Sequence, residues 1–299
     1  MNTRTTALVT DSNAQLPRRL VDRFGIRVVP LTVVVDGIEY AEGVDLDADG
    51  FYAKFDGGSR TAGHIGGHQP SVATSQPSPG CFADAYRAAA EAGADEILSV
   101  HIGAAVSGTL NSARAAAATA PVPVRLVDTG TTSFGIGCCV WEAAEALGRG
   151  AGTEEAADAA RSVAARVGNV FVVRALELAA AGGRVVLADR GAAAATGDPG
   201  TGDAIPVLSL VGSRLDVVGR ATDLDEAAAL MADFATAAGQ DLRVAVGIAD
   251  RSSEPLRLAL EARLEGHPSV KERVRYRVGP SVGAHTGPGT VGAFFYPSP

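Results

Sequence analysis

Residues 96–127, EILSVHIGAAVSGTLNSARAAAATAPVPVRLV, hold the pattern that decides the fold. Glu96–Ile102 is a short apolar run typical of a buried strand, and the small-residue loop Gly103–Val106 follows it. Ser107–Ala118 is rich in alanine and predicts a helix, and Val122–Val127 predicts a second strand. A strand, a helix and a strand in this order favour a parallel sheet.

The same alternation continues on both sides of this stretch. Further strands are predicted at Ala7–Thr10 and Ile26–Val35, and further helices at Pro17–Phe24, Leu46–Phe55, Cys81–Ala92 and Phe134–Leu147. Strands and helices in alternation are typical of a doubly wound sheet. The sequence therefore predicts an N-terminal α/β domain over residues 1–150, built on a mainly parallel sheet.

A second alternation follows the small Gly/Ala break at Gly148–Gly152. Helices are predicted at 153–167, 175–181, 224–238 and 254–264, and strands at 170–173, 207–211, 214–221, 243–249, 270–278 and 291–295. Between them Ala188–Asp203 is rich in glycine and alanine. The fold class is thus α/β, with a second, smaller α/β domain expected over residues 151–299.

Composition excludes several classes of protein. The 299 residues carry 26 Lys and Arg against 34 Asp and Glu, a formal net charge of −8, which argues against nucleic-acid binding. Apolar stretches such as Val28–Val35 fall short of the about 20 residues that span a bilayer. Met1–Thr5 is polar and offers no apolar signal core, so a cytoplasmic protein without membrane insertion is expected. The positions of Cys81, Cys138 and Cys139 imply neither a disulfide framework nor a metal site.

Three short polar segments interrupt these apolar surroundings, and the first is Thr74–Gly80, TSQPSPG. Its two prolines hold the backbone extended, and Ser78 is placed to cap the helix that follows. Capping explains Ser78 but leaves Thr74 and Ser75 without a structural role. Their hydroxyls are therefore candidates for binding a ligand from a rigid loop.

The second polar segment is Ser107-Gly108-Thr109, which follows a strand and a small-residue loop and begins a helix. Free backbone N–H groups and the positive end of the helix dipole make such a place an anion site. Gly108 lets a ligand approach the backbone closely. The alternative is that Ser107 is only an N-cap, since serine is among the best capping residues.

The third polar segment is His285–Gly289, HTGPG, between two predicted strands. His285 and Thr286 offer two donors on a loop that glycine and proline stiffen, although a solvated surface histidine explains the same residues. A hydrolase acting on an acyl or phosphoryl substrate, with Ser107 or His285 as its catalytic group, remains an alternative. Asp11 or Asp128 would complete a triad with them, but sequence order does not establish geometry.

These segments belong to a longer series of motifs that resembles the DegV family of bacterial fatty-acid-binding proteins. The series comprises Val9–Ser12, Val29–Leu31, Thr74–Gly80, Ser107–Thr109 with Asn111–Ala113, Val127–Thr129, Gly182–Arg184 and His285–Gly289. Each motif alone is weak, but together they stand in family order over nearly the whole chain.

The resemblance implies two α/β domains with one long-chain fatty acid, such as palmitate, bound between them in an apolar tunnel. It implies that Thr74, Ser107 and His285 hold the carboxylate. Five further residues are implied as ligand-binding neighbours, namely Ser75, Gly108, Thr109, Thr286 and Arg184. Arg184 is expected to neutralise charge near the carboxyl group or to dock a partner.

The family also implies that partner, a fatty-acid kinase. The protein would then be a carrier for lipid transport that presents the carboxyl group for acyl phosphate formation. It would have no catalytic residues, no metal and no cofactor beyond the bound acid.

The sequence departs from the family pattern in three places. Asn13 stands where threonine is usual, which we expect to be tolerated because asparagine also caps and turns. Gly63–Gln69 resembles an insertion near the pocket mouth, and Ala188–Asp203 replaces a helical stretch. The last two changes concern the shape of the pocket and the recognition of the kinase.

Overall fold

The computed structural model describes residues 5–55, 70–173, 186–187, 204–212 and 214–298. Contacts divide the chain into two units. Unit 1 consists of Met1–Thr32 and Ser75–Val167, and unit 2 of Val33–Thr74 and Gly168–Pro299.

Strands and helices alternate along much of the chain. The strands are β1 (Thr6–Asp11), β2 (Arg27–Val29), β3 (Thr32–Val35), β4 (Ile38–Ala41), β5 (Val72–Ser75), β6 (Glu96–His101), β7 (Val124–Asp128), β8 (Gly168–Val172), β9 (Val186–Leu187), β10 (Ile205–Val211), β11 (Arg214–Ala221), β12 (Leu242–Ile248), β13 (Val270–Arg277) and β14 (Val291–Pro297). The α-helices are α1 (Arg18–Phe24), α2 (Ala48–Ala53), α3 (Pro79–Glu91), α4 (Thr109–Ala117), α5 (Phe134–Gly148), α6 (Thr153–Ala164), α7 (Leu224–Thr236), α8 (Glu254–Leu264) and α9 (Pro280–Thr286).

Unit 1 is built on a parallel sheet with the strand order β2-β1-β6-β7. Val9 and Ile97 pack with residues of α3 and α4, while their neighbours Leu8 and Leu98 are also buried. Since successive side chains of a strand point to opposite faces, the sheet is buried on both sides. Helices α5 and α6 pack against each other and against the strands as well. The predicted doubly wound parallel sheet is confirmed for this unit.

Unit 2 contains a mixed sheet with the order β13-β12-β14-β8-β10-β11-β9. β12 runs parallel to β13, whereas β14 pairs antiparallel with both β12 and β8. Its main core joins Val207, Val244 and Phe295 of the strands to Met231 of α7 and Leu260 of α8. Both units are therefore α/β structures, as the sequence predicts.

A second apolar cluster in unit 2 is separate from this core. Val173, Leu208 and Leu215 are buried together, and Phe171 and Leu210 pack against them. Val207 and Leu208 are consecutive in β10 yet belong to different clusters. The sheet thus presents apolar side chains on both of its faces.

Unit 2 also holds a three-stranded sheet with the order β4-β3-β5. The predicted Asp36-Gly37 turn joins β3 to β4, with φ of +51° and +81° at the two residues. Both values suit the two-residue turn of a hairpin, where asparagine, aspartate and glycine are preferred. Thr74 lies near the end of β5.

The division into units differs from the predicted boundary at residue 150. Helix α6 packs on α5 and on strands β6 and β7, so the chain completes unit 1 before it enters β8. Unit 2 takes residues 33–74 in addition to 168–299, and it is the longer unit rather than the smaller one.

The single strand predicted over Ile26–Val35 is two strands, and each belongs to a different unit. Pro30 separates β2 from β3, because proline has no N–H to donate to a ladder. The next N–H, of Leu31, donates to the Ser12 hydroxyl at 2.9 Å. A run of β-branched residues therefore conceals the crossing from one unit to the other.

Both cysteines of helix α5 belong to the core of unit 1. Cys138 and Cys139 are buried in α5, and burial raises the pKa of the Cys139 thiol to about 12, so both are core residues. The segments Gly63–Gln69 and Ala188–Asp203 and the helix predicted at 175–181 lie outside the described residues. Within the described ranges, no helix is long and apolar enough to cross a membrane.

Candidate functional site

The carboxyl ends of β1 and β6 mark the place in unit 1 where the chain direction across the sheet reverses. From β1 the chain goes to β2 on one side, and from β6 it goes to β7 on the other. Open α/β sheets bind ligands at such a switch point, in the crevice outside the strand ends. The Ser107 segment follows β6 at this end.

Asp11, the last residue of β1, ties the two loops at this switch point together. Its Oδ1 accepts the Asn13 N–H at 3.1 Å. Its Oδ2 accepts the Ile102 N–H at 3.1 Å and faces Nδ1 of His101 at 2.9 Å. Because the carboxylate is fully buried, these bonds compensate for its loss of water.

His101 continues this network into the core. Its Nε2 lies 2.6 Å from the Ser99 hydroxyl, which lies 2.9 Å from the hydroxyl of Tyr86. Burial raises the pKa of Tyr86 to about 12, so this phenol keeps its proton and can donate to Ser99. The order Ser99, His101, Asp11 resembles a hydrolase triad, but all three side chains are fully buried and a substrate cannot reach the serine.

The predicted triad partners are therefore engaged differently. Asp11 bonds to His101 rather than to His285. Asp128 accepts the N–H groups of Ala104 at 3.2 Å and Gly130 at 2.9 Å, so its carboxylate shapes the neighbouring loops.

Asn13 holds the start of α5. Its Oδ1 accepts the Ser133 N–H at 2.8 Å and the Thr132 hydroxyl at 3.0 Å. Ser133 has a φ of +56°, which is rare for a residue other than glycine. The amide oxygen of Asn13 thus serves as a cap at this position.

The Ser107 segment forms a small hydroxyl cluster at the N-terminus of α4. The helix begins at Thr109, two residues later than predicted, with Gly108 as its N-cap. The Ser107 hydroxyl accepts the Thr109 N–H at 3.3 Å and lies 2.9 Å from the Thr109 hydroxyl. Thr109 is fully buried and Ser107 is half-buried, so Ser107 is the residue of the pair that a ligand can reach.

Gln76 packs on this cluster from the preceding loop. A side-chain carbon at Gly108 would lie 3.0 Å from the Gln76 amide, so the glycine lets the Gln76 side chain lie close to the backbone here. Ser75 and Gln76 are both exposed. The sequence alone assigns no role to Gln76.

Thr74 and His285 meet in unit 2 although 211 residues separate them in sequence. The Thr74 hydroxyl lies 3.3 Å from Nε2 of His285, and both side chains are half-buried. The contact brings together two of the residues that the sequence singles out.

His285 and Thr286 lie in the last turn of a helix, not on the predicted loop. Pro280 suits the first position of α9, and Gly287, with a φ of +73°, ends it. The Thr286 hydroxyl donates back to the Val282 carbonyl at 3.3 Å, so it serves the helix.

The structure thus groups the predicted residues in two sets. Thr74 lies with His285 in unit 2, and Ser107 lies with Gly108 and Thr109 in unit 1. Arg184 is outside the described residues.

His101 is a residue of unit 1 that sequence reasoning missed. The sequence does contain a signal for this network. The apolar strand β6 carries polar side chains at two alternate positions, Ser99 and His101.

Unit 1 also contains a cavity of about 350 Å³ at the opposite end of its strands. Its lining consists of Glu96, Pro123, Val124, Arg125, Thr153 and Glu154. Two glutamates in this lining make the cavity unsuited to a carboxylate.

A family model described as "Uncharacterised protein, DegV family" matches residues 5–298. The chain belongs to the DegV family. DegV domain-containing proteins from Streptomyces coelicolor and Deinococcus radiodurans share 37% and 34% of their residues with it. The alignments cover 96% of both chains in the first case, and 97% of this chain and 98% of the relative in the second.

Solved DegV structures share the two-domain α/β fold. A fatty-acid-binding DegV family protein from Thermus thermophilus superposes with a TM-score of 0.81 at 33% identity, covering 98% of this chain and all of that one. DegV of Bacillus subtilis, described as a fatty acid binding protein, gives a TM-score of 0.79 at 24% identity, with coverage of 99% and 100%. The predicted family and fold class are confirmed.

The Asp11 network yields a test of stability. Replacing Asp11 with asparagine turns an acceptor into an N–H donor against the N–H groups of Ile102 or Asn13. We expect Asp11→Asn to lower the free energy of unfolding by about 1.5–3 kcal/mol, the usual cost for hydrogen bonds to a charged group. Urea denaturation measures this loss. The exposed Asp22, paired with Arg18, is the control, since Asp22→Asn should change stability by less than about 0.5 kcal/mol.

Proposed function

We propose that this protein binds a long-chain fatty acid and presents its carboxyl group to a kinase. The observation that carries the proposal is the contact between Thr74 and His285, because it places a hydroxyl and an imidazole side by side within one unit. The fatty-acid-binding Thermus relative, similar over nearly its whole length, supports the same ligand class.

The pair can organise hydrogen bonds toward a carboxylate. When His285 donates its Nε2–H to the Thr74 oxygen, the threonine proton turns outward and donates to a ligand oxygen. Because the donor is already fixed before the ligand binds, less conformational entropy is lost on binding. In this proposal His285 supports the hydroxyl and also offers positive charge when protonated.

Ser107 is the proposed second donor. Its oxygen accepts the Thr109 N–H, and the buried Thr109 hydroxyl can donate to it too. The Ser107 proton is then directed away from the cluster. The N-terminus of α4 adds the positive end of a helix dipole, with Gly108 as the cap. Ser75 and Thr286 are proposed as neighbours of the carboxylate.

The acyl chain needs apolar lining, and unit 2 offers it on the second face of its larger sheet. The cluster of Val173, Leu208 and Leu215, with Phe171 and Leu210 against it, is separate from the main core. Each methylene buried there contributes about 0.8 kcal/mol. We propose that a saturated or monounsaturated chain lies against this cluster.

The protein acts as a carrier in this proposal, and the kinase supplies the chemistry. A carboxylate held by neutral donors keeps its nucleophilic oxygen, which a kinase can phosphorylate at the expense of ATP in the cytoplasm. The carrier needs no cofactor for this step. Arg184 is proposed to neutralise the carboxyl end or to contact the kinase.

Binding is tested by delipidating the purified protein and titrating it with palmitate and oleate by calorimetry. We expect Thr74→Ala and Ser107→Ala to weaken binding by about 1–3 kcal/mol each, since each removes one donor to a charged ligand. Thr236→Ala is a matched control in unit 2, because the Thr236 hydroxyl donates only to helix carbonyls.

Unchanged affinity in both site variants would remove the assigned site. Absence of any fatty acid from native mass spectra of the purified protein, together with no heat on titration, would remove the function. Covalent labelling of Ser107 by a serine-directed probe would instead favour a hydrolase.

Phosphorylation is tested with a fatty-acid kinase, ATP and hydroxylamine trapping of the acyl phosphate. We expect product from the palmitate-loaded protein and none when delipidated protein replaces it.

Arg184→Ala separates the two proposed roles of this residue. Reduced product with unchanged palmitate affinity indicates docking of the kinase, whereas reduced affinity indicates charge neutralisation. Equal product from free palmitate with and without the protein would contradict a presenting role.

A further inference from the structure

Helix α9, which carries His285, is too short to be stable alone. It has seven residues, and its N-cap Gly279 offers no side chain to bond the first N–H groups. Isolated helices of this length are marginal in water, so contacts from elsewhere must hold it. The structure supplies such contacts at its start, its middle and its end.

Glu42 holds the start of α9. Its Oε1 accepts the Ser281 N–H at 2.8 Å across 239 residues of sequence, and its side chain is buried. A carboxylate at a helix N-terminus satisfies a free N–H and interacts favourably with the dipole. Glu42 directly follows β4, in the three-stranded sheet that also carries Thr74 on β5.

Helix α2 holds the middle of α9. A side-chain carbon at Gly283 would lie 2.5 Å from the Tyr52 hydroxyl and 2.8 Å from the Phe51 ring, so the helix approaches these aromatics as closely as glycine allows. The Tyr52 hydroxyl is buried without a hydrogen-bond partner among the described residues. Burial, with the nearby Asp250 carboxylate adding to it, raises the pKa of Tyr52 well above its usual range.

Asp250 holds the turn that follows α9. Its Oδ1 accepts the Gly289 N–H at 3.3 Å and the Ser252 hydroxyl at 2.7 Å. Glu42 and Asp250 therefore hold the two ends of the segment from which His285 projects.

We propose that Glu42 is a positioning residue for His285: its bond to the Ser281 N–H, with Gly283 seated on Tyr52, sets the distance between His285 and Thr74. The inference rests on the proposed function, since Thr74 is proposed there as a carboxylate donor and His285 as the side chain that supports it. Glu42 itself does not touch the ligand in this proposal. It acts through the helix.

The test compares Glu42→Ala with Glu42→Gln in the full-length, delipidated protein. We expect the alanine variant to bind oleate at least about ten-fold more weakly, as loss of a charged hydrogen bond typically produces. Glutamine keeps an oxygen for the Ser281 N–H and should restore most of the affinity. The imidazole NMR signals of His285 should move in the alanine variant and return in the glutamine variant.

Glu226 provides the matched control. It accepts the N–H of Thr222, the residue before the N-cap of α7, at 2.7 Å, and α7 does not carry the site. Glu226→Ala should leave both the oleate affinity and the His285 signals unchanged. A loss of helix capping in general is thereby separated from a loss of His285 position.

A second set of variants decides the question if Glu42→Ala fails to fold. Gly283→Ala places a methyl group against the Tyr52 hydroxyl and should weaken binding and shift the His285 signals. Tyr52→Phe removes that oxygen, so the double variant should recover part of both effects. Gly283→Ala with unchanged oleate affinity and unchanged His285 signals would show that the close contact between Gly283 and Tyr52 is not what positions the helix.

The outcomes separate this inference from the function on which it rests. If the wild type binds oleate and the Glu42→Ala protein binds it equally well, the inference is wrong and the function stands. If the wild type binds no fatty acid, the proposed function fails and the His285 signals decide alone. Signals that are identical in wild type, Glu42→Ala and Gly283→Ala overturn the inference in either case.

Discussion

The buried carboxylate of Asp11 is the interaction on which unit 1 depends. Two parallel strands, β1 and β6, end at the same edge of the sheet. The buried backbone N–H groups of the loops that follow them need hydrogen-bond acceptors. Asp11 provides an acceptor for both loops, because one of its oxygens accepts a hydrogen bond from the N–H of residue 13 and the other from the N–H of residue 102. The loop that leads to Ser107 therefore begins from a fixed point, which places the hydroxyl proposed as a carboxylate donor.

Unit 2 contains the same kind of interaction, a buried carboxylate that accepts a backbone N–H from a distant segment. Here Glu42 accepts an N–H of a helix that is too short to hold itself, and the partner lies at the far end of the chain. In each unit a carboxylate from one loop fixes the backbone of another, and a hydroxyl or imidazole beyond that backbone is proposed to face the ligand. The acids are structural, whereas the groups proposed to meet the ligand are hydroxyls and an imidazole. This separation keeps like charge away from a carboxylate.

The sequence was sufficient for what depends on local pattern. Alternating apolar runs and helical stretches predicted the two α/β units, and the motif residues Thr74 and His285 do meet. Pattern failed where distant contacts decide: Pro30 divides one β-branched run between two units, and α6 joins unit 1 because it packs on α5. The helix around His285 is not predicted because the acid that holds its start is Glu42, far away in sequence. His101 is not predicted because its carboxylate partner, Asp11, comes from a strand 90 residues earlier.

The negative net charge of the chain explains why the proposed site relies on short-range hydrogen-bond donors. A chain of net charge −8 repels an anion through its overall field, so a fatty acid cannot be drawn in by long-range attraction. In the proposed function, binding therefore comes from burial of the acyl chain and from short-range donors at the carboxylate. Hydroxyls meet this need without a buried cation, which would be costly to desolvate when the site is empty. In the proposed function, a carboxylate held mainly by hydroxyls keeps most of its negative charge for the attack on a phosphoryl group.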